Sequence, residues 1–343
     1  MDIFAKPEQL CFIYTLISTA MKKLIFLLLI SAICLQANAQ YTDTVFQYFD
    51  IAWKEVDGKE DYFSYFRIAL KTEKGPWHVR DYYSDTRTVQ MEGLFLDDSL
   101  TIKDGKFYYY YYNGNLKSEC TYNKNTLVGL RRAYSITGQL IDSSRFKSTG
   151  IPFHKVFQWD EEGRLIEYGE FDMNGSGKGT LTGYYEDSTT NFTGQFAVGH
   201  VRDSTWSYFN QNGKLCFREH YDSGKLISYQ CFNDDGSVVT SKCDTAARLP
   251  ESGYDVYQYM YEDVRMPKEA INAELRGRFV VIVAFVVERD GRVSHPYIEL
   301  GSFDYFNNEA LRVVRTFPRW KQPGKHHNRT EQVHYQLPVT FQM

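Results

Sequence analysis

The sequence predicts a mainly β chain: a stacked array of antiparallel β-hairpins, followed by a small α+β domain. Three observations carry this. Turn glycines recur through the middle of the chain at a near-constant interval. Beyond them lies an unbroken apolar, β-branched run, Phe279 to Val287 (FVVIVAFVV). Near the carboxyl end Val333, Tyr335, Leu337, Val339 and Phe341 alternate with Gln332, His334, Gln336, Pro338 and Thr340, the period of a half-buried strand.

The repeat comes first. Gly114, Gly138, Gly163, Gly213 and Gly236 are spaced by 24, 25, 50 and 23 residues, so a degenerate marker is expected near Ser188. Four residues before each glycine stands an aromatic (Tyr110, Tyr134, Trp159, Phe209, Phe232), and two after it an aliphatic (Leu116, Leu140, Leu165, Leu215, Val238). Eight residues after the glycine or its substitute stand Tyr122, Phe146, Phe171, Phe196 and Tyr221. Such a period means a one-dimensional stack of supersecondary units. Each unit reads as strand, turn, strand, with Asn113-Gly114 and Asn212-Gly213 as hairpin-turn pairs. The chain holds 27 Tyr and 24 Phe. Their regular placement favours ladders that hold the array together over a platform for sugars, although outward rings could still meet a glycan.

The carboxyl-terminal elements follow. Asp290-Gly291 after the apolar run suits a two-residue hairpin turn. Val293 to Leu300 returns as a second strand interrupted by Pro296, and Pro338 interrupts the last strand. Proline cannot donate to a ladder, so both strands belong at edges and the proline-free run at the centre. The order expected is second, first, third, a three-stranded sheet with two helices. The first helix starts at Pro267, turns Ile271 and Leu275 inward and closes at Gly277; the second is capped by Asn307 or Asn308, buries Ala310, Leu311 and Val314, and ends at Pro318. The last strand then offers unpaired backbone to an extended partner. The residues expected to do so are Gln332, Val333, His334, Tyr335, Gln336 and Leu337.

Met21-Lys22-Lys23, the apolar run Leu24 to Leu35 and Ala37-Asn38-Ala39 read as a secretory signal with its cleavage pattern, preceded by an over-extended start. A retained anchor is the alternative; Ile33 argues against lipidation at Cys34. The divisions expected are 1–39 signal, 40–76 amino-terminal β segment, 77–243 repeats, 244–252 linker and 253–343 terminal domain. Export permits disulfides among Cys120, Cys216, Cys231 and Cys243; one bridge involving Cys216 or Cys231 and four buried free thiols both remain open.

Net charge is −4 with both signs interspersed, which excludes a nucleic-acid footprint. No HExxH, G-x-S-x-G, phosphate loop or zinc-type cysteine pair occurs, so no catalytic residue, metal site or cofactor is expected. His326-His327 has no third ligand spaced with it and lies between Lys325 and Arg329, so it reads as a solvated loop. Glu219-His220 falls in a strand, where neighbours face opposite ways. Gly175 to Gly179 reads as a loop between repeat strands.

Two resemblances rest on these residues. Met266-Pro267-Lys268-Glu269-Ala270, Leu275-Arg276-Gly277, Val286 to Val293, Asn308 to Val314, Trp320-Lys321 and Leu337-Pro338-Val339-Thr340-Phe341 together resemble the C-terminal domain of TonB, over about Gly253 to Met343. Met266 stands where that family usually has an aromatic. The resemblance implies a periplasmic domain that pairs by strand addition, along Gln332 to Phe341, with a segment of an outer-membrane TonB-dependent receptor or another envelope protein. The repeats resemble the bacterial variant of the MORN repeat, which implies a scaffold. A transducer of the TonB type crosses the periplasm on a Pro-rich spacer; here nine prolines are scattered, and only Ser31 is polar between Leu24 and Leu35. A recognition module is therefore preferred to a transducer. The rival is a structural scaffold whose repeats bind glycan or protein and whose terminal domain forms a homodimer.

Overall fold

A computed structural model describes residues 41–58, 63–73, 75–240, 250–273, 276–327 and 329–343. The expected signal at Met21 to Ala39, together with Cys34, Cys243 and Leu275, lies outside these residues. The described residues fall into two compact units, one of 41–44 with 70–73 and 75, the other holding the rest. No helix among the described residues is long and apolar enough to cross a membrane.

The chain is mainly β. Sixteen antiparallel strands, β1 (Tyr41–Phe49) to β16 (Lys225–Cys231), form one sheet. From β16 back to β3 (Tyr65–Thr72) every strand pairs with its sequence neighbour; β1 and β2 (Glu55–Val56) follow. In the amino-terminal β segment two strands, β1 and β2, thus precede β3 in the chain.

The turns that carry the marker glycines share one geometry. The glycine amide donates to the carbonyl three residues back, as from Gly114 to Tyr111 (2.8 Å), Gly163 to Asp160 (3.0 Å) and Gly213 to Asn210 (2.9 Å). Each of these glycines has positive φ, whereas Asn113 and Asn212 do not. These are type I turns closed by a left-handed residue, not the two-residue turns expected; the pairing shifts by one residue beside each turn, as between Tyr109 and Tyr110. The Asp290-Gly291 turn departs in the same way, with Gly291 at φ 82° and its amide bonded to Glu288. Ser188 occupies the glycine slot at φ 67° and donates to the Tyr185 carbonyl at 2.9 Å, which makes it the degenerate marker. Three tyrosines tie one unit to the next. The Tyr83 hydroxyl donates to the Tyr110 carbonyl (3.1 Å), Tyr111 to that of Tyr134 (2.9 Å) and Tyr185 to that of Phe209 (2.7 Å). Phe107 packs on Phe95 and Tyr122, and Trp206 on Phe192 and Phe196, so the rings do serve as ladders.

The terminal domain holds β17 (Arg278–Val287), β18 (Val293–Leu300) and β21 (Val333–Gln342) in the order β18-β17-β21, with the proline-free strand central. One face packs Phe279, Val281, Val283, Phe285 and Val287 against the helices. Helix α1 (Val256–Asp263), capped by Asp255, was not expected. Helix α2 (Lys268–Asn272) has Pro267 just before its first residue. It is too short for the stripe expected: Ala270 points inward and Ile271 is exposed. Gly277 does not close it. Instead Gly277 exchanges backbone hydrogen bonds with Met343 (3.1 and 2.9 Å) at the end of the β17–β21 ladder. Helix α3 (Asp304–Arg315) begins a turn earlier than expected, after Phe303, and ends before Pro318. It buries Phe306, Ala310, Val313 and Val314, while Leu311 packs at the margin of the core. Asn307 is not its cap. It lies inside the first turns, buried, and its Oδ1 accepts from the Ser302 amide at 2.8 Å. Cys120 and Cys216 are buried free thiols, whereas Cys231 is disulfide-bonded.

Candidate functional site

The two edges of the small sheet differ, and the difference follows from what the hairpin array covers. On the β18 side, Lys117 Nζ meets Glu299 Oε1 at 2.7 Å, Tyr111 packs edge-on against Tyr297, and His295 Nε2 lies 2.9 Å from Glu162 Oε1. Leu300 is buried in a cluster with Phe49, Tyr65, Tyr83 and Tyr112. The Tyr112 hydroxyl lies within hydrogen-bond reach of two acceptors that share its one proton, the Ser302 carbonyl (2.9 Å) and the Asp85 carboxylate. Gly301 permits this approach, because a Cβ there would lie 2.4 Å from the Tyr112 ring.

Further along, Arg289 pairs with Glu186 and its guanidinium sits over the Tyr185 ring. A two-stranded hairpin, β19 (Gly324–His326) with β20 (Arg329–Glu331), lies over the repeat face at Tyr208. Arg329 donates to the Asn191 and Phe209 carbonyls. This corrects the solvated-loop expectation for His326-His327. His327 is 5% exposed and stacks on Tyr208, with its Nε2 3.3 Å from Glu219 Oε1. Glu219 also accepts from Tyr208 (2.9 Å) and Tyr221 (3.2 Å) and pairs with Arg202 (3.3 Å). Burial pushes the Glu219 carboxyl up, but the hydrogen bonds from His327 and Tyr208 outweigh it and hold it below its ordinary value. Glu219 is buried and His220 exposed, so the two do not form a dyad. The sequence signal for this anchor was a single buried-strand glutamate; its partners come from distant segments.

At the opposite edge β21 pairs, among the described residues, with β17 alone, from Val333↔Val287 to Gln342↔Arg278. Alternate residues of an edge strand direct their amide and carbonyl away from the sheet. Burial fades toward this edge: Ala284 and Val286 are buried on the second face of β17, while Gln336 and His334 opposite them are exposed. Of the six expected residues, Gln332 precedes the strand and donates to Glu288 at 2.5 Å. Leu337 is buried in the core, and the half-buried Tyr335 packs on Phe285 and Trp320. His334 and Gln336 are the exposed side chains, and Val333 is half-buried.

Fold and edge define the class: a β-hairpin array carrying a small α+β domain with one covered and one open sheet edge. Residues 263–343 match the family described as Gram-negative bacterial TonB protein C-terminal. That domain points to an envelope protein engaged in a transport-related protein interaction, without catalysis by the domain itself. No curated protein matches the chain.

Proposed function

We propose that this protein is an exported, envelope-located binding protein whose terminal domain captures an extended segment of a partner by strand addition to β21, at Gln332 to Leu337. The observation that supports this is the asymmetry of the sheet: among the described residues β21 is paired on one side only, while the β18 edge is covered by side chains of the array. Open strand edges are templates for pairing, with backbone bonds giving affinity and alternate side chains giving preference. His334 and Gln336, exposed on the strand, set that preference. The partner is an outer-membrane TonB-dependent receptor or another envelope protein. The repeats, similar to the bacterial MORN variant, act as the scaffold that holds the domain in place.

The test is a pull-down from envelope extract with full-length protein and a Val333→Pro/Tyr335→Pro variant. Capture of the same partner by both proteins would show that the edge is not used. A homodimer formed through the same edge is the competing use. It predicts that the same variant turns a dimer into a monomer in sedimentation.

A further inference from the structure

A cavity of about 1000 Å3 lies between the middle of the array and the terminal domain. Its floor is one row of the sheet. Register places Ala133, Asp142, Gln158, Glu167, Gly183 and Phe192 side by side on consecutive strands. Beyond Phe192 the row continues through Tyr208 and Phe217, which fill the apolar core at that end. In the middle the floor residues are small or polar, so a hollow remains where the array elsewhere packs rings. The roof comes from Val286, Glu288, Arg289, Ser294 and His295, and the wall from Gln332 and His334, where β21 begins.

Most carboxylates around the hollow are already engaged. Asp160 and Glu162 hold Arg164, Asp290 holds Arg292, and Glu186 holds Arg289. Glu288 accepts from Ser294 and Gln332. Glu161, in the turn before Gly163, has no hydrogen bond or ion pair among the described residues, and on the floor two carboxylates are not fully used. Asp142 is 7% exposed; its Oδ2 meets Arg131 at 2.9 Å, and its Oδ1 is buried without a partner. Glu167, two strands away on the same face, has no hydrogen bond or ion pair among the described residues, and its carboxyl is pushed up to about 7 by burial and then by the charge of Asp142. Asn191, 8% exposed, adds a second buried acceptor without a partner, its Oδ1, while Glu167 is half-buried. Trp159 and Tyr184 supply aromatic wall. Uncompensated buried acceptors are costly, and a cation between two carboxylates and beside aromatic rings satisfies them.

We propose that this cavity binds an alkylammonium or guanidinium group between Asp142 and Glu167, and that the group is a basic side chain of the segment captured at β21. The source of the cation rests on the strand-addition reading; the cation site does not. The two are separated by calorimetric titration of the full chain with N-acetyl-arginine methylamide and N-acetyl-lysine methylamide, with spermidine and maltotriose for comparison. Binding of an amino-acid probe is expected. It should weaken by about tenfold or more in Asp142→Asn and in Glu167→Gln, as loss of a charge-assisted contact implies. Probe binding by the wild-type chain, together with equal partner capture by wild type and Val333→Pro/Tyr335→Pro, would keep the cation site and remove the captured segment as its source. No cation binding at millimolar probe, or maltotriose binding with the cations excluded, overturns the proposal. Spermidine bound more than about tenfold tighter than both amino-acid probes overturns the side-chain source and assigns the site to a diffusible polyamine.

Discussion

The imidazole of His327 stacks on the phenol of Tyr208 with ring centroids 3.7 Å apart, and its Nε2 faces the carboxylate of Glu219 at 3.3 Å. Residues more than a hundred apart in sequence are thereby joined, and the His327 carbonyl also accepts from the Cys216 thiol, 111 residues away. Tyr208 and Glu219 belong to the repeats and His327 to the hairpin before the last strand, so this contact anchors the terminal domain to the array. Removing the imidazole strips a buried carboxylate of one partner and opens a gap beside a ring. His327→Ala is therefore expected to cost about 2–3 kcal/mol in urea unfolding. His326→Ala, at the half-buried neighbouring position, is expected to cost about 1 kcal/mol or less. Equal costs would show that Glu219 does not depend on His327.

Gly301 tests the other end of the same interface. A methyl group there meets the Tyr112 ring at 2.4 Å, and Tyr112 is held by bonds to Ser302 and Asp85. Gly301→Ala should destabilise by about 1–3 kcal/mol, the usual cost of overpacking. A double-mutant cycle with Tyr112→Ala should recover part of that loss. Strict additivity would place the clash elsewhere.

Ser188 offers a stabilising substitution. It holds φ 67° where the other turns place glycine at 73–89°. An L-residue in that conformation costs about 1–2 kcal/mol, partly offset by the greater freedom glycine has when unfolded. Ser188→Gly should therefore raise the melting temperature, with a net gain of about 0.5 kcal/mol. A lower melting temperature would contradict the turn assignment.

Glu167 makes a pH prediction. Burial first, and then the Asp142 charge, raise its carboxyl from 4.5 to about 7 in the folded protein. Between those values the native state holds more protons than the unfolded state, so this residue's contribution to stability falls as pH rises through the window and levels off above it. The upper bound is about 3 kcal/mol, at about 1.4 per unit. Glu167→Gln should flatten this slope, so its stability relative to wild type should be greater at pH 8 than at pH 4. The difference between the two denaturation-versus-pH curves isolates the residue. Parallel curves would rule out a raised carboxyl.

Much of this fold was legible because its signals are local. Glycine spacing, an aromatic four residues before and an aliphatic two residues after each impose the same turn on every unit, and even the degenerate Ser188 fell on schedule. Pro296 and Pro338 placed the two outer strands of the small sheet by removing donors. Less local features were misjudged. Asn307 has the chemistry of a helix cap, yet its amide is spent inside the domain, on Ser302. Ile271 has the spacing of a core residue, yet a five-residue helix turns Ala270 inward instead. His327 sits in a polar loop sequence, and nothing nearby tells that Tyr208 will cover it.

By itself, then, the sequence determined the period of the array, the order of the three terminal strands and which of them would lie at edges. Those follow from steric limits on single residues and from alternation along single strands. Only the tertiary structure decided which edge stays open. Lys117, Tyr111 and Glu162 reach Glu299, Tyr297 and His295 across more than a hundred residues of chain and cover β18, while nothing among the described residues pairs with the far side of β21. The same docking left Asp142 and Glu167 in a hollow with acceptors to spare, because a row of side chains acquires its partners from whatever surface closes over it.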